Sequence, residues 1–179
     1  MKIVRSEEIN KFRGDIAMQK WVRHEDPNNK YGATFTLGDN SVSLPKGAVV
    51  SVTRGENFNI PRLIINGLLN QFIMKALTKN ENLLYAELTG QLQGGVGQTL
   101  TVWKDPKLMN NFRTKGFHNF SRRFFSWIFY SGSVKAYFHT WKLTETIPSS
   151  DEAGKFVIEN GRFFQGGKMI RKANHHKVG

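Results

Sequence analysis

The feature that most restricts the fold is the order of patterns that begins at Gly47: strand, helix, two strands, helix, strand. Ala48-Val49-Val50-Ser51-Val52-Thr53 is rich in β-branched residues, which pack well on a pleated surface, and Arg54-Gly55 ends it. From about Pro61 to Lys79, the residues Ile64, Ile65, Leu68, Leu69, Phe72, Ile73, Ala76 and Leu77 recur every three or four positions. That spacing predicts one helix with a wide buried face, and Pro61 suits its first turn. Leu84, Ala86 and Leu88 then alternate with Tyr85 and Glu87 as far as Gly94-Gly95-Val96-Gly97, and Thr99 to Trp103 returns beside them as an antiparallel strand. Asp105 caps a new helix with Pro106 at its first position and Leu108, Met109 and Phe112 as its stripe. Gly116 breaks that helix, His118 to about Trp127 makes a second, aromatic one, and Val134 to Trp141 alternates as a strand. Ser149-Ser150-Asp151-Glu152 reads as a capping box that opens a helix to about Asn160.

This order is the split βαβ pattern of a ferredoxin-like antiparallel sheet with helices on one face, an α+β fold. Such a sheet leaves its other face bare. Two of them paired through that face close a dimeric α/β barrel, so a homodimer is expected. Around this domain, 46–161, the sequence predicts two appendages. Residues 1–45 read as an arm, with Ile9, Phe12 and Ile16 at helical spacing, followed by a short hairpin of Ala33–Leu37 and Ser41–Leu44 about Gly38-Asp39-Asn40. Residues 162–179 lose periodicity and read as a basic tail.

A chain of 179 residues, 39% hydrophobic, is long enough for one domain with a real core. The absence of cysteine excludes disulfides, thiolate metal sites and a thiol nucleophile. Met1 to Glu8 has no apolar run, and no stretch reaches the roughly 18 consecutive apolar residues of a membrane span, so a cytoplasmic protein is expected. The net charge of +12 is localised: the whole excess falls between Lys104 and Lys142 and from Arg162 onward, and the rest of the chain balances. A positive field there attracts phosphates, anionic lipid or an acidic small ligand, and it equally describes a solvated basic face.

Residues able to hold a ligand cluster between Thr99 and Trp141. Trp103 and Trp141 offer flat apolar area with one N–H donor, suited to stacking a planar molecule or to filling a core. Arg113 has the donor fork that grips a carboxylate, and is otherwise an ordinary helix arginine. His118 changes charge near neutrality and serves as a proton donor or as a helix-start residue. His139 shares its strand face with Tyr137 and Trp141, lining a pocket or the sheet surface. Phe117 and Trp127 lie on a stripe with Phe120 and Phe124 and complete the candidate lining. Other signals are weak. Gly94–Gly97 lacks the Lys-Ser/Thr of a phosphate loop, His175-His176 stands without carboxylates, no serine sits in a nucleophile elbow, and no metal site is predicted.

Thr99-Leu100-Thr101-Val102-Trp103-Lys104-Asp105, then Leu108, Met109, Asn111 and Phe112, then Gly116-Phe117-His118 and Arg122-Arg123 resemble the dimeric α/β-barrel superfamily of antibiotic-biosynthesis-monooxygenase type. Spheroidene-monooxygenase-like and uncharacterised relatives are the nearest. Tyr137-Phe138-His139-Thr140-Trp141-Lys142-Leu143 and Ile147-Pro148-Ser149-Ser150-Asp151-Glu152-Ala153 resemble that superfamily's last strand and Pro-initiated helix, so the likeness runs from about Ala48 to Gly161. The resemblance implies a pocket between sheet and helices in each protomer, used for small aromatic or polyene substrates and in some branches for haem. His118 matches the helix histidine, which places it at the reacting centre and makes it the haem ligand if haem is bound; Trp103 matches the strand-end tryptophan. The aromatic density from Phe117 to Tyr130 departs from the pattern. Two functions follow: an oxygenase-like pocket for an apolar or anionic small molecule, or a binding module whose segment Phe117–Tyr130 lies on an anionic membrane or a nucleic acid.

Overall fold

The computed structural model describes residues 20–25, 32–115, 119–120, 132–143 and 145–174. Its strands are β1 (Val22–His24), β2 (Ala33–Gly38), β3 (Val49–Glu56), β4 (Leu83–Gln91), β5 (Val96–Trp103), β6 (Lys135–Lys142), β7 (Arg162–Gln165) and β8 (Lys168–Arg171). Three helices accompany them among the described residues: α1 (Ile60–Thr78), α2 (Pro106–Thr114) and α3 (Ser150–Asn160). All eight strands join one sheet in the order β1-β2-β4-β5-β3-β6-β7-β8, each neighbour antiparallel. The central β4-β5-β3-β6 quartet, with α1 joining β3 to β4 and α2 leading away from β5 toward β6, is the ferredoxin-like arrangement read from the sequence.

Each helix starts where its sequence supplies acceptors for orphan N–H groups. Asn59 Oδ1 accepts from the Arg62 amide ahead of α1, and Asp105 Oδ1 accepts from the Lys107 and Leu108 amides ahead of α2. Ser149 and Glu152 form a reciprocal capping box ahead of α3.

Strand alternation divides the core in two. On one face Leu37, Val49, Leu83, Ala86, Leu88 and Trp103 bury against Leu77 of α1 and Met109 of α2. On the other, Val50, Val52, Tyr85, Leu100, Val102 and Tyr137 bury against Ala153 and Val157 of α3. The face that the split βαβ order leaves without helices is therefore covered at its apolar centre within the same chain. A polar anchor fixes that cover: Gln98, 5% exposed, donates to the Ser150 carbonyl at 2.7 Å and accepts from Arg54, which pairs with Glu56 at 2.9 Å.

Four sequence expectations change. Ser41–Leu44 forms no strand; β2 pairs instead with β1 and, along its whole length, with β4, so residues 33–38 extend the main sheet. The stretch after Gly161 is ordered as the β7–β8 hairpin, because Gly166 and Gly167 both take positive φ (56° and 83°) and make the tight turn such hairpins need. The apolar arc of α1 is wider than its contact with the sheet: Leu69 and Leu77 are buried, while Ile64, Leu68 and Phe72 are more than half exposed. A bulge between Leu83 and Tyr85 turns Leu84 out of the Ala86/Leu88 row and toward the α3 face. The helical pattern around Ile9, Phe12 and Ile16 lies outside the described residues.

Candidate functional site

On the face that carries α1 and α2, the centre of the sheet is lined by hydroxyls. Ser51 and Thr53 of β3, Thr99 and Thr101 of β5 and Thr140 of β6 follow from the register Ser51↔Thr101, Thr53↔Thr99 and Ser51↔Thr140. Threonine satisfies the β-branched preference of a strand while presenting an oxygen. Thr140 Oγ1 donates to Ser51 Oγ at 3.2 Å, and Thr101 Oγ1 donates to the Ser51 carbonyl at 3.3 Å. Thr101 is buried and the other four are half-buried.

This floor has two walls. At one end Trp103, 1% exposed, packs on Phe112 with ring centroids 5.1 Å apart. At the other end Phe58 lies across Gly55, where a Cβ would come within 2.4 Å of its ring, so that glycine lets an aromatic rest directly on the strand; a Cβ at the paired Gly97 would sit 3.1 Å from Asn66 Nδ2. The strand positions that carry the two walls stand about 20 Å apart at about 3.3 Å per strand residue. Laterally the floor runs through Phe138 and Thr140 to a cavity of about 450 Å³ whose lining includes Arg162, Met169, Lys172 and Asn174. That cavity lies where β6 outruns β7, which pairs with it only over Lys135–Phe138.

The sequence-predicted residues do not all converge here. Trp103 is on this face as a core residue, and its Nε1 is buried without a hydrogen-bond partner among the described residues. Arg113 is half-buried in the last turn of α2. Trp141 lies on the opposite face because it registers with Val50, whereas Trp103 registers with Val49, and adjacent strand residues point to opposite sides. The His139 and Trp141 rings stand 5.6 Å apart and both meet Phe156 of α3, at 5.6 and 4.6 Å, and His139 also lines the cavity beside β6. His118, Phe117 and Trp127, and with them most of the segment Phe117–Tyr130, lie outside the described residues. The sequence reading missed the hydroxyl floor and the place of Arg162 and Lys172 in the cavity lining. The repeated Thr-x-Thr of β5 carried the first signal, and Gly166-Gly167 between two short apolar-basic runs carried the second.

The tyrosines near the α3 face are poor proton carriers at neutral pH. Burial, then the charge and hydrogen bond of Glu87, push the Tyr85 phenol far above its ordinary value; burial, with Glu56 adding to it, also raises Tyr137 against the opposing Arg171 and Arg54. Among the described residues no group of three or more His, Asp or Glu side chains is placed to hold a metal. The haem expectation rests on His118, outside the described residues; of the described histidines, His24 is exposed on β1 and hydrogen-bonded to Thr36, and His139 stacks on Trp141 and Phe156 and lines the cavity beside β6. No described helix is long and apolar enough to cross a membrane.

No protein-family model matches the chain, and no curated protein matches it. Solved structures do. A conserved protein from Methanosarcina mazei Go1 aligns at 10% identity and TM-score 0.45, over 54% of this chain and 93% of that one. An uncharacterized ferredoxin-fold protein related to antibiotic biosynthesis monooxygenases, from Listeria monocytogenes 4b, aligns at 8% identity and TM-score 0.39, over 80% and 92%. A heme-degrading enzyme from Listeria monocytogenes aligns at 8% identity and TM-score 0.39, over 75% and 93%. The fold is similar to that of antibiotic-biosynthesis-monooxygenase-like ferredoxin-fold proteins.

Proposed function

We propose that the protein binds a small, mainly apolar aromatic or polyene molecule over the hydroxyl floor and acts on it as a monooxygenase-like, cofactor-independent pocket. The observation that carries this reading is the set Ser51, Thr53, Thr99, Thr101 and Thr140 on three adjacent strands, on a sheet face that is otherwise apolar between Phe58 and Trp103. A core needs no such row. A ligand with a flat body and one or two oxygens does, because the hydroxyls orient its polar atoms while the aromatic walls hold its carbon frame. The chemistry open to these residues is positioning and hydrogen bonding to a substrate oxygen as charge develops on it.

The test is calorimetry with 1-naphthol and its reduced quinone relative 1,4-dihydroxynaphthalene, together with oxygen uptake above the rate of spontaneous autoxidation. Binding that weakens about thirtyfold in Thr99→Val/Thr101→Val, as expected for two lost hydrogen bonds of roughly 1 kcal/mol each, supports the site. Binding of neither compound removes it. Binding without oxygen uptake keeps the pocket and removes the oxygenase reading.

A further inference from the structure

We propose that the cavity beside β6 takes the acid group of the ligand, so that the molecule bound over the floor is an organic anion with an apolar body, and that the C-terminal hairpin supplies its counter-charges. The proposal rests on the small-molecule reading above and adds the ligand's charge. Its geometry starts from register. Arg162 of β7 stands opposite Phe138 of β6, and Met169 of β8 stands opposite Phe164, which itself stands opposite Ala136. Directly opposed residues of antiparallel strands share a face, so Arg162 and Met169 lie on the side of Thr140, Ser51 and the floor. The cavity of about 450 Å³ is of a size that accepts a small molecule.

Its lining is chemically divided. Phe138, Met169 and Ala173 give apolar area, His139 gives an imidazole, Asn174 gives an amide donor, Thr140 gives a hydroxyl whose proton goes to Ser51, and the exposed Arg162 and Lys172 give two positive charges, with no acidic residue among the described lining. Neither cation belongs to the Arg54–Glu56 ion pair, and no other described carboxylate neutralises them. The hairpin that carries them is held firmly. Arg171, between the β8 apolar pair and Lys172, donates to the Ile158 and Gly161 carbonyls at the end of α3, and the Asn174 amide donates to the Asn160 carbonyl at 2.9 Å. Lys172, exposed and in the cavity lining, thus lies between two anchored residues, Arg171 and Asn174. A guanidinium fork and an ammonium lining one cavity beside the Asn174 amide donor match a carboxylate.

The test compares 2-naphthoate with its uncharged analogue 2-naphthamide on the full chain by calorimetry at low salt. The naphthoate is expected to bind about tenfold tighter than the amide, the scale of one charge-assisted hydrogen bond. That preference should vanish in Arg162→Gln/Lys172→Gln, persist in Arg162→Lys, and shrink at high salt, with the melting temperature of each variant confirming that it is folded. Equal binding of the two compounds by the wild type, or a preference that survives the double glutamine variant, overturns the proposal. If in that case Thr99→Val/Thr101→Val still weakens both compounds, the pocket stands without its anion; if neither compound binds at all, both readings fall.

Discussion

Trp103 and Phe112 face each other across the junction of β5 and α2 with ring centroids 5.1 Å apart, and the indole N–H of Trp103 is buried there without an acceptor among the described residues. The contact joins the end of a strand to the helix it launches, so it sets the angle at which α2 leaves the sheet and closes one end of the floor. Trp103→Ala should cost about 3–5 kcal/mol, the usual range for emptying a large aromatic site. Trp103→Phe should cost far less, since the lost ring volume is offset by removal of a buried donor that contributes no hydrogen bond. Urea denaturation of both variants decides this; equal losses would mean that the indole N–H is satisfied in solution.

Much of the fold was legible before the structure because local signals agreed with one another. Asp105-Pro106 and Ser149 to Glu152 each name a helix start by the acceptors they provide, and both helices begin there. What was not legible depended on register and on the neighbours a strand acquires. Nothing in Val134 to Trp141 says that Trp141 registers with Val50 and not with Val49, yet that single step moves it and His139 to the α3 face, away from Trp103. Likewise Ala33 to Leu37 reads as a strand, but its partner β4 lies about fifty residues away, and the adjacent Ser41–Leu44 is the tempting wrong choice. Of the site candidates, His139 lines the cavity beside β6 and His118, Phe117 and Trp127 lie outside the described residues, while the threonines of the floor were not legible because their strand propensity hides their polarity.

Trp21 ties the beginning of the described chain to the end of α1: its Nε1 donates to the Met74 carbonyl at 3.1 Å and to Thr78 Oγ1 at 3.0 Å. Trp21→Phe keeps the ring and removes the donor, so a loss of about 1 kcal/mol is expected, with faster hydrogen exchange confined to the last turn of α1 and to β1. Unchanged exchange in α1 would show that the ring alone makes the attachment.

Gly154 lets α3 approach the Gln98 and Arg54 pair. A Cβ there would lie 2.7 Å from Gln98 Oε1 and 3.1 Å from Arg54 Nη1, and Gln98 has little room because its amide also donates to Ser150 Oγ at 2.9 Å. Gly154→Ala should therefore destabilise by about 1–3 kcal/mol despite improving helix propensity. Gly67→Ala is the matched control. Nothing lies within 4 Å of a Cβ at Gly67 in α1, so the same exchange there should stabilise by roughly 0.5–1 kcal/mol. Two changes of the same sign would break the packing explanation.

The capping box of α3 makes stability depend on acidity in a defined direction. The Ser149 hydroxyl and amide both donate to Glu152 Oε2, at 2.8 and 2.9 Å, and hold its carboxyl below the ordinary glutamate value; the side-chain bond is the larger cause. Since the folded value is the lower one, the contribution is fully present above the unfolded glutamate pKa and disappears as the pH falls through the folded value. Ser149→Ala removes both the cap and the hydroxyl donor. The stability gap between wild type and variant should accordingly be constant from neutral pH down to the ordinary glutamate range and then narrow with further acidification, in denaturation curves taken at each pH. A gap that widens on acidification would mean that protonated Glu152 is the better partner for Ser149, which the geometry of a carboxylate accepting two hydrogen bonds opposes.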